Sequence, residues 1–205
     1  MPSLTLRSLL AAACAATALA MGAGVALVPD GATAQGAAST APRWTVDSTQ
    51  SSLGWSTRWA GSTVTGSFGS WTADIRFDPA RPETGQVAVV VQTGSSRSST
   101  GEANDNLPLP DWFNVRAHPT ARWDSTSIRA NGAGRYIADG TLTLKGQRYR
   151  LAIPFALTVS GQTATMTANL SLDRIALRIG VDSDASADWV DRNVAVTIRV
   201  RASRR

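Results

Sequence analysis

Large apolar residues alternate with small or polar ones along most of this chain. Over residues 53–59 the odd positions are mostly large and apolar, and the even ones are small or polar. Trp71, Ala73, Ile75 and Phe77 share one parity; Thr72, Asp74, Arg76 and Asp78 share the other. The run 87–91 is β-branched and nearly continuous. Leu151, Ile153, Phe155, Leu157 and Val159 alternate with Ala152, Pro154, Ala156 and Thr158, and the rhythm returns at 166–172 and 194–200. A side-chain period of two puts one set of residues in a core and the other in water, as in an antiparallel sheet. Asp78-Pro79, Asn131-Gly132, Lys145-Gly146 and Ser160-Gly161 are turn signals between the runs. With segments near 44–49 and 62–68, the pattern predicts about eight strands, no long amphipathic helix and an all-β barrel or sandwich.

One stretch breaks the alternation. Ser99-Thr100-Gly101-Glu102 reads as a capping box with Ser99 as N-cap, so a short helix is expected there. Pro108 and Pro110 stop it by Leu107, and Asp111 is expected to cap a second short turn through Trp112 and Phe113. Such an insertion, 101–115, carries Leu107, Leu109, Trp112 and Phe113 and needs an apolar surface to cover. In a small barrel that surface is an open end, so the insertion is expected to act as a lid.

Before the strands, Arg7 precedes an uncharged run from Ser8 to Pro29, followed by Ala32-Thr33-Ala34. This is the order of a secretory leader with a small-x-small cleavage site. The run could span a bilayer, but its Ala and Gly content favours cleavage near Ala34 over a permanent anchor. Residues 1–34 are therefore expected to be a leader, 35–42 a flexible spacer and 43–205 one domain, exported to the periplasm or beyond. The one Cys of the chain, Cys14, falls in the leader, so a mature chain would have no disulfide. The chain has one His and a net charge of +5. Of its 20 basic residues only Lys145 is lysine, a bias better read as codon usage than as guanidinium chemistry.

Catalytic signals are sparse. There is no Gly-rich phosphate loop, no Gly-x-Ser-x-Gly elbow and no His-Glu-x-x-His motif. His118, before Pro119, reads as a hydrogen-bonding loop residue, and a lipid-modifying reaction pairing it with Asp105 is the enzymatic alternative. Asp182-x-Asp184-x-Ser186-x-Asp188 has the spacing of a calcium loop, yet Ala187 and Asn193 stand where Gly and Glu are needed, so a solvated acidic loop is expected. The seven Trp residues say more. Trp55, Trp59 and Trp71 fall on the inward parity, while Trp112 lies within the insertion and Trp123 follows it. Flat, bulky rings inside a barrel of about eight strands would line an apolar cavity for one small ligand.

From Arg43 onward the chain resembles the YceI-like family. The resemblance rests on Trp44-Thr45-Val46-Asp47 with Ser51-Ser52-Leu53, on Val64-Thr65-Gly66-Ser67-Phe68 and on Ile75-Arg76-Phe77-Asp78-Pro79. It continues in Asn104-Asp105-Asn106-Leu107, Asp111-Trp112-Phe113-Asn114-Val115, His118-Pro119 and Gly140-Thr141-Leu142-Thr143-Leu144-Lys145-Gly146. Departures fall at Asn106, at His118, at Gln147-Arg148-Tyr149 and at Leu177-Arg178, where the family pattern has Phe-Gly. The resemblance implies a lipocalin-like antiparallel barrel with a short helical insertion that holds an isoprenoid or other lipid chain, without catalytic residues, cofactor or metal. A fatty-acid or fatty-amide carrier, or a partner of membrane redox components, is an alternative use of the same lumen. The residues expected at the lumen and mouth are Trp55, Trp59, Phe68, Trp71, Leu107, Trp112, Phe113, His118, Trp123 and Arg174. Arg174, and less strongly Arg97, is the expected contact for a phosphate end. No nucleic-acid partner is expected, and at most a transient contact with a membrane surface.

Overall fold

The computed structural model describes residues 41–204. The expected leader, its cleavage site and residues 35–40 of the spacer lie outside the described residues. The last two spacer residues are not loose: Ala41 is buried and the Pro42 carbonyl accepts from the Phe77 N–H.

Among the described residues eleven strands form in chain order: β1 (Arg43–Val46), β2 (Ser52–Trp59), β3 (Ser62–Phe68), β4 (Trp71–Arg76), β5 (Gln86–Gln92), β6 (Ser96–Ser98), β7 (Thr120–Ala130), β8 (Arg135–Leu144), β9 (Gln147–Ser160), β10 (Thr163–Asp173) and β11 (Asn193–Arg204). The one α-helix among the described residues, the six-residue α1 (Gly101–Asn106), follows β6. The ring runs β1-β4-β5-β7-β8-β9-β10-β11 and closes by pairing β11 with β1, an eight-stranded antiparallel barrel. One edge of the long β11 is paired along its length with β10, and the other edge serves two partners. Its C-terminal part pairs with β1 through Val46↔Ala202, while Ala195 to Arg199 pair with β2. Beyond β2 the sheet continues through β3 to β6. One half of the barrel is thus closed by β1, and the other is widened by the β2–β3–β6 flap.

The count of eight predicted strands agrees with the ring, but its membership differs. The alternation counted 53–59 and 62–68, which form the flap, and did not single out β7 and β8. Those two strands carry small residues where neighbours press in. A Cβ on Gly140 would lie 2.5 Å from the Trp123 ring, so only glycine lets that indole lie flat across β8. The continuous run in β5 still alternates, with Val87, Val89 and Val91 facing the interior. Val159 departs from its expected inward place. It is 42% exposed, because β9 has by then run past the closed end of the barrel toward the Ser160-Gly161 turn.

That closed end is an aromatic plug. Phe77 meets Tyr136 edge-on at 5.1 Å between centroids, and Tyr136 stacks on Phe155 at 5.3 Å. Ile128 is buried beside them, and the Trp44 indole N–H donates to the Phe77 carbonyl at 2.9 Å. The opposite end receives α1 and two long loops, 107–119 and 174–192. The N-cap of α1 is Thr100, whose hydroxyl accepts from the Ala103 N–H, one position later than expected; Ser99 Oγ instead accepts from the Thr65 N–H. Asn104 ties the helix down by accepting from Ser98 N–H and donating to the Ser98 and Thr100 carbonyls.

Candidate functional site

Between plug and loops lies a cavity of about 640 Å³, within the range that ordinarily takes one ligand of drug size or a chain. Its wall is almost wholly carbon. All seven Trp residues of the chain line it, including Trp44 and Trp189, which the sequence reading did not place there. The indole N–H groups of Trp55 and Trp123 are engaged in the wall, donating to Ser96 Oγ and to the Leu151 carbonyl. Their rings therefore meet the lumen as apolar faces. Phe68 and Phe113 pack at 5.7 Å across the mouth, one from the flap and one from the insertion.

Of the residues expected at the lumen and mouth, Trp55, Trp59, Phe68, Trp71, Leu107, Trp112, Phe113, Trp123 and Arg174 line this cavity. His118 does not. Its ring lies outside the wall against Gly146 of the β8–β9 turn, and its carbonyl accepts from the Thr93 hydroxyl. Asp105 is exposed on α1 and also off the wall, so the proposed acid/base pair is not assembled on the cavity. Arg97 is exposed on β6, donating to the Gly94 and Ser96 carbonyls.

Arg174 reaches the wall, but with nothing left to offer a phosphate. Only 2% exposed, it sends Nε to the Val190 and Asp191 carbonyls and Nη1 to those of Ile179 and Gly180. Its Nη2 donates to Val190 and Asp184 carbonyls and to the Asp184 carboxylate at 2.6 Å. Asp184 in turn accepts from the N–H groups of Asp188, Trp189 and Val190. The expected solvated acidic loop is thus organised around a buried ion pair. Among the described residues no group of His, Cys, Asp and Glu converges as a metal site. Arg178, one of the departures noted above, is exposed with φ +58°, a left-handed backbone that glycine adopts more readily than arginine. It sits in the loop after β10, between Leu177 and Ile179, which both line the cavity.

The two mouth loops are latched to each other. The Arg174 guanidinium lies 5.9 Å from the Trp112 ring, which also rests on Gly180. Asp111 does not cap its own turn, as the sequence suggested. Its carboxylate accepts from the N–H groups of Asp182 and Ser183 and from the Ser183 hydroxyl at 2.6 Å. Lys145 Nζ, from the β8–β9 turn, donates to the carbonyls of Asp111 and Arg178. Burial works against the Asp111 carboxylate, but the bonds from Ser183 and Asp182, with the Lys145 charge, outweigh it and hold its pKa below the usual carboxylate value. Burial likewise draws the Lys145 ammonium below the usual lysine value. Because the folded pKa of Asp111 is depressed, the latch contributes stability above the unfolded value of about 4 and loses it as pH falls through the folded one. Asp111→Ala is expected to speed release of a bound chain about fivefold at neutral pH by stopped-flow Trp fluorescence. The native rate should rise toward the variant's below about pH 4; a variant as slow as the native protein would disprove the latch.

A family model described as "YceI-like domain" matches residues 44–202. Among curated relatives, a "UPF0312 protein" of Azotobacter vinelandii is 33% identical over 81 residues, 40% of this chain and 42% of the relative. Another, of Shewanella oneidensis, is 34% identical over 101 residues, 49% of this chain and 53% of the relative. The alignments thus span about half the length of those relatives. Among solved structures, Burkholderia cenocepacia BcnA superposes with a TM-score of 0.74 at 24% identity, covering 78% of this chain and 100% of BcnA. A polyisoprenoid-binding domain from Saccharophagus degradans does so with a TM-score of 0.60 at 12% identity, covering 80% and 99%. At these identities the structural likeness speaks for the fold alone.

Proposed function

This chain belongs to the YceI-like domain family, and on that footing we propose that it is an exported carrier that shelters a polyisoprenoid or similar long-chain amphiphile in its barrel. The observation that carries this reading is the tryptophan-lined cavity, closed at one end by the Phe77–Tyr136–Phe155 plug. A flexible apolar chain would enter it by burial of carbon surface, about 25 cal/mol per Å² before the ordering of the chain is subtracted. A wall of carbon does not distinguish isoprenoid from acyl tails, so a fatty acid or amide is the competing cargo.

Release and capture would pass through the mouth, between α1 with its following loop and the loop 174–192. Trp189 is 65% exposed and Leu109 48% exposed, one on each loop, which suits a brief contact with a membrane surface during transfer. Export rests on the leader-like residues 1–34, and the mature protein from its natural host is expected to begin at Gln35.

The direct test is native mass spectrometry of the protein purified from that host. A stoichiometric isoprenoid or other lipid adduct, lost on solvent extraction and regained with saturable Trp fluorescence change, is the expected result. A protein that carries no lipid and whose fluorescence ignores added prenols and fatty amides would refute the carrier reading.

A further inference from the structure

The mouth of the cavity has an unusual charge balance. Arg174 is the one basic residue on the wall among the described residues, and all of its guanidinium donors are spent on protein oxygens. Asp184 is matched by Arg174 and by backbone N–H groups. Lys145, just outside the wall, is committed to two carbonyls. The remaining charge on the wall is Glu102, in the first turn of α1. It forms no ion pair among the described residues. Asn106 lies four residues on, on the same helix face, and also lines the cavity. On the wall itself an incoming phosphate or carboxylate would therefore meet the Glu102 carboxylate, with no uncommitted cation on the wall to offset it.

A second observation concerns uncharged polar groups. Thr57 stands on the inward parity of β2 and lines the cavity. Its Oγ1 is shut off from solvent and is the one buried side-chain polar atom without a hydrogen-bond partner among the described residues. Buried hydroxyls are ordinarily satisfied, so an orphan beside a ligand cavity calls for an explanation. A polar ligand end that reaches Thr57 can bring the hydroxyl round to the lumen by rotation about χ1 to another staggered rotamer. There it can donate to a carbonyl or bond an alcohol.

Resting on the carrier reading above, we propose that the site takes a chain with an uncharged polar end, an alcohol, amide or carbonyl. Glu102 is the residue that turns away anionic ends, and Thr57 is the hydrogen-bonding partner of the neutral one. The cavity is thus selective by head group although its wall is indifferent to the tail.

The test uses the full chain stripped of bound lipid, titrated by Trp fluorescence with geranylgeraniol, geranylgeranyl phosphate and the hydrocarbon of the same chain. The alcohol should bind at least about tenfold more tightly than the phosphate. Glu102→Gln should narrow that gap by tightening the phosphate alone. Thr57→Val, which keeps the shape, should weaken the alcohol about fivefold and leave the hydrocarbon unchanged, with the far-ultraviolet spectrum intact. A phosphate that binds as tightly as the alcohol, an equal effect of Glu102→Gln on both, or an equal loss of hydrocarbon in Thr57→Val overturns the inference. Binding of all three chains without regard to head group would remove this selectivity and leave the carrier standing. Binding of none would remove the carrier and the selectivity together.

Discussion

Replacing Trp71 by Asp is expected to lower affinity for a long apolar chain by about a hundredfold or more, or about 2.7 kcal/mol. Asp at the adjacent Thr72 should leave affinity within about twofold. Trp71 lines the cavity, whereas Thr72 is exposed on the outer face of β4. A carboxylate in a carbon-walled lumen must either stay ionised and hold water where the chain should lie, or take up a proton at neutral pH. Both outcomes oppose burial of the ligand, and the lost indole removes apolar contact besides. On the outer face the same group is hydrated and indifferent. The pair of variants is a test of strand parity, since one residue of slip exchanges the two faces. Equal losses at both positions would show that the inside of β4 had been misread.

The second large effect belongs to Arg174. Arg174→Leu is expected to destabilise the protein by about 3 kcal/mol or more, and to loosen the loop 174–192 first. The substitution leaves the Asp184 carboxylate buried without its ion-pair partner and strips donors from the carbonyls of Ile179, Gly180, Val190 and Asp191. Trp112 loses the guanidinium it rests on, so the lid loosens with the loop. Urea denaturation would give the loss of stability, and hydrogen exchange would place it in 174–192 ahead of the barrel strands. Affinity should fall equally for neutral and phosphorylated chains, because the defect is in the wall. A selective loss for the phosphorylated chain would restore Arg174 to a ligand-binding role. Acid should act on the same node. Burial raises the Asp184 pKa, but N–H groups from Val190, Asp188 and Trp189, with Arg174, more than offset it, and the folded value is depressed. Its contribution is therefore present above the unfolded value of about 4 and lost as pH falls through the folded one.

Inside and outside were legible in the sequence because a strand's side-chain period is a local property. Leu53, Trp55, Trp59, Trp71, Ile75, Leu151 and Phe155 could be turned to the lumen from parity alone, and all line it. The insertion could be found because Pro108 and Pro110 forbid a long helix, and its apolar residues could be assigned a surface to cover. Lys145-Gly146 could be read as a turn, and both residues do have positive φ. Ring closure was not legible. It depends on β11 dividing itself between β1 and β2, a pairing of segments about 150 residues apart whose register no local pattern records. The roles of charged residues were also beyond the sequence. Arg174 and Asp184 read as a phosphate contact and a solvated acid until folding brought carbonyls and a guanidinium together. Asp111 reads as a cap until Ser183, 72 residues away, arrives at its carboxylate. Burial of apolar residues follows from their own chemistry and position, so the sequence determines which face is dry. What a polar group does depends on which partners surround it, and for this protein only the tertiary structure supplies those partners.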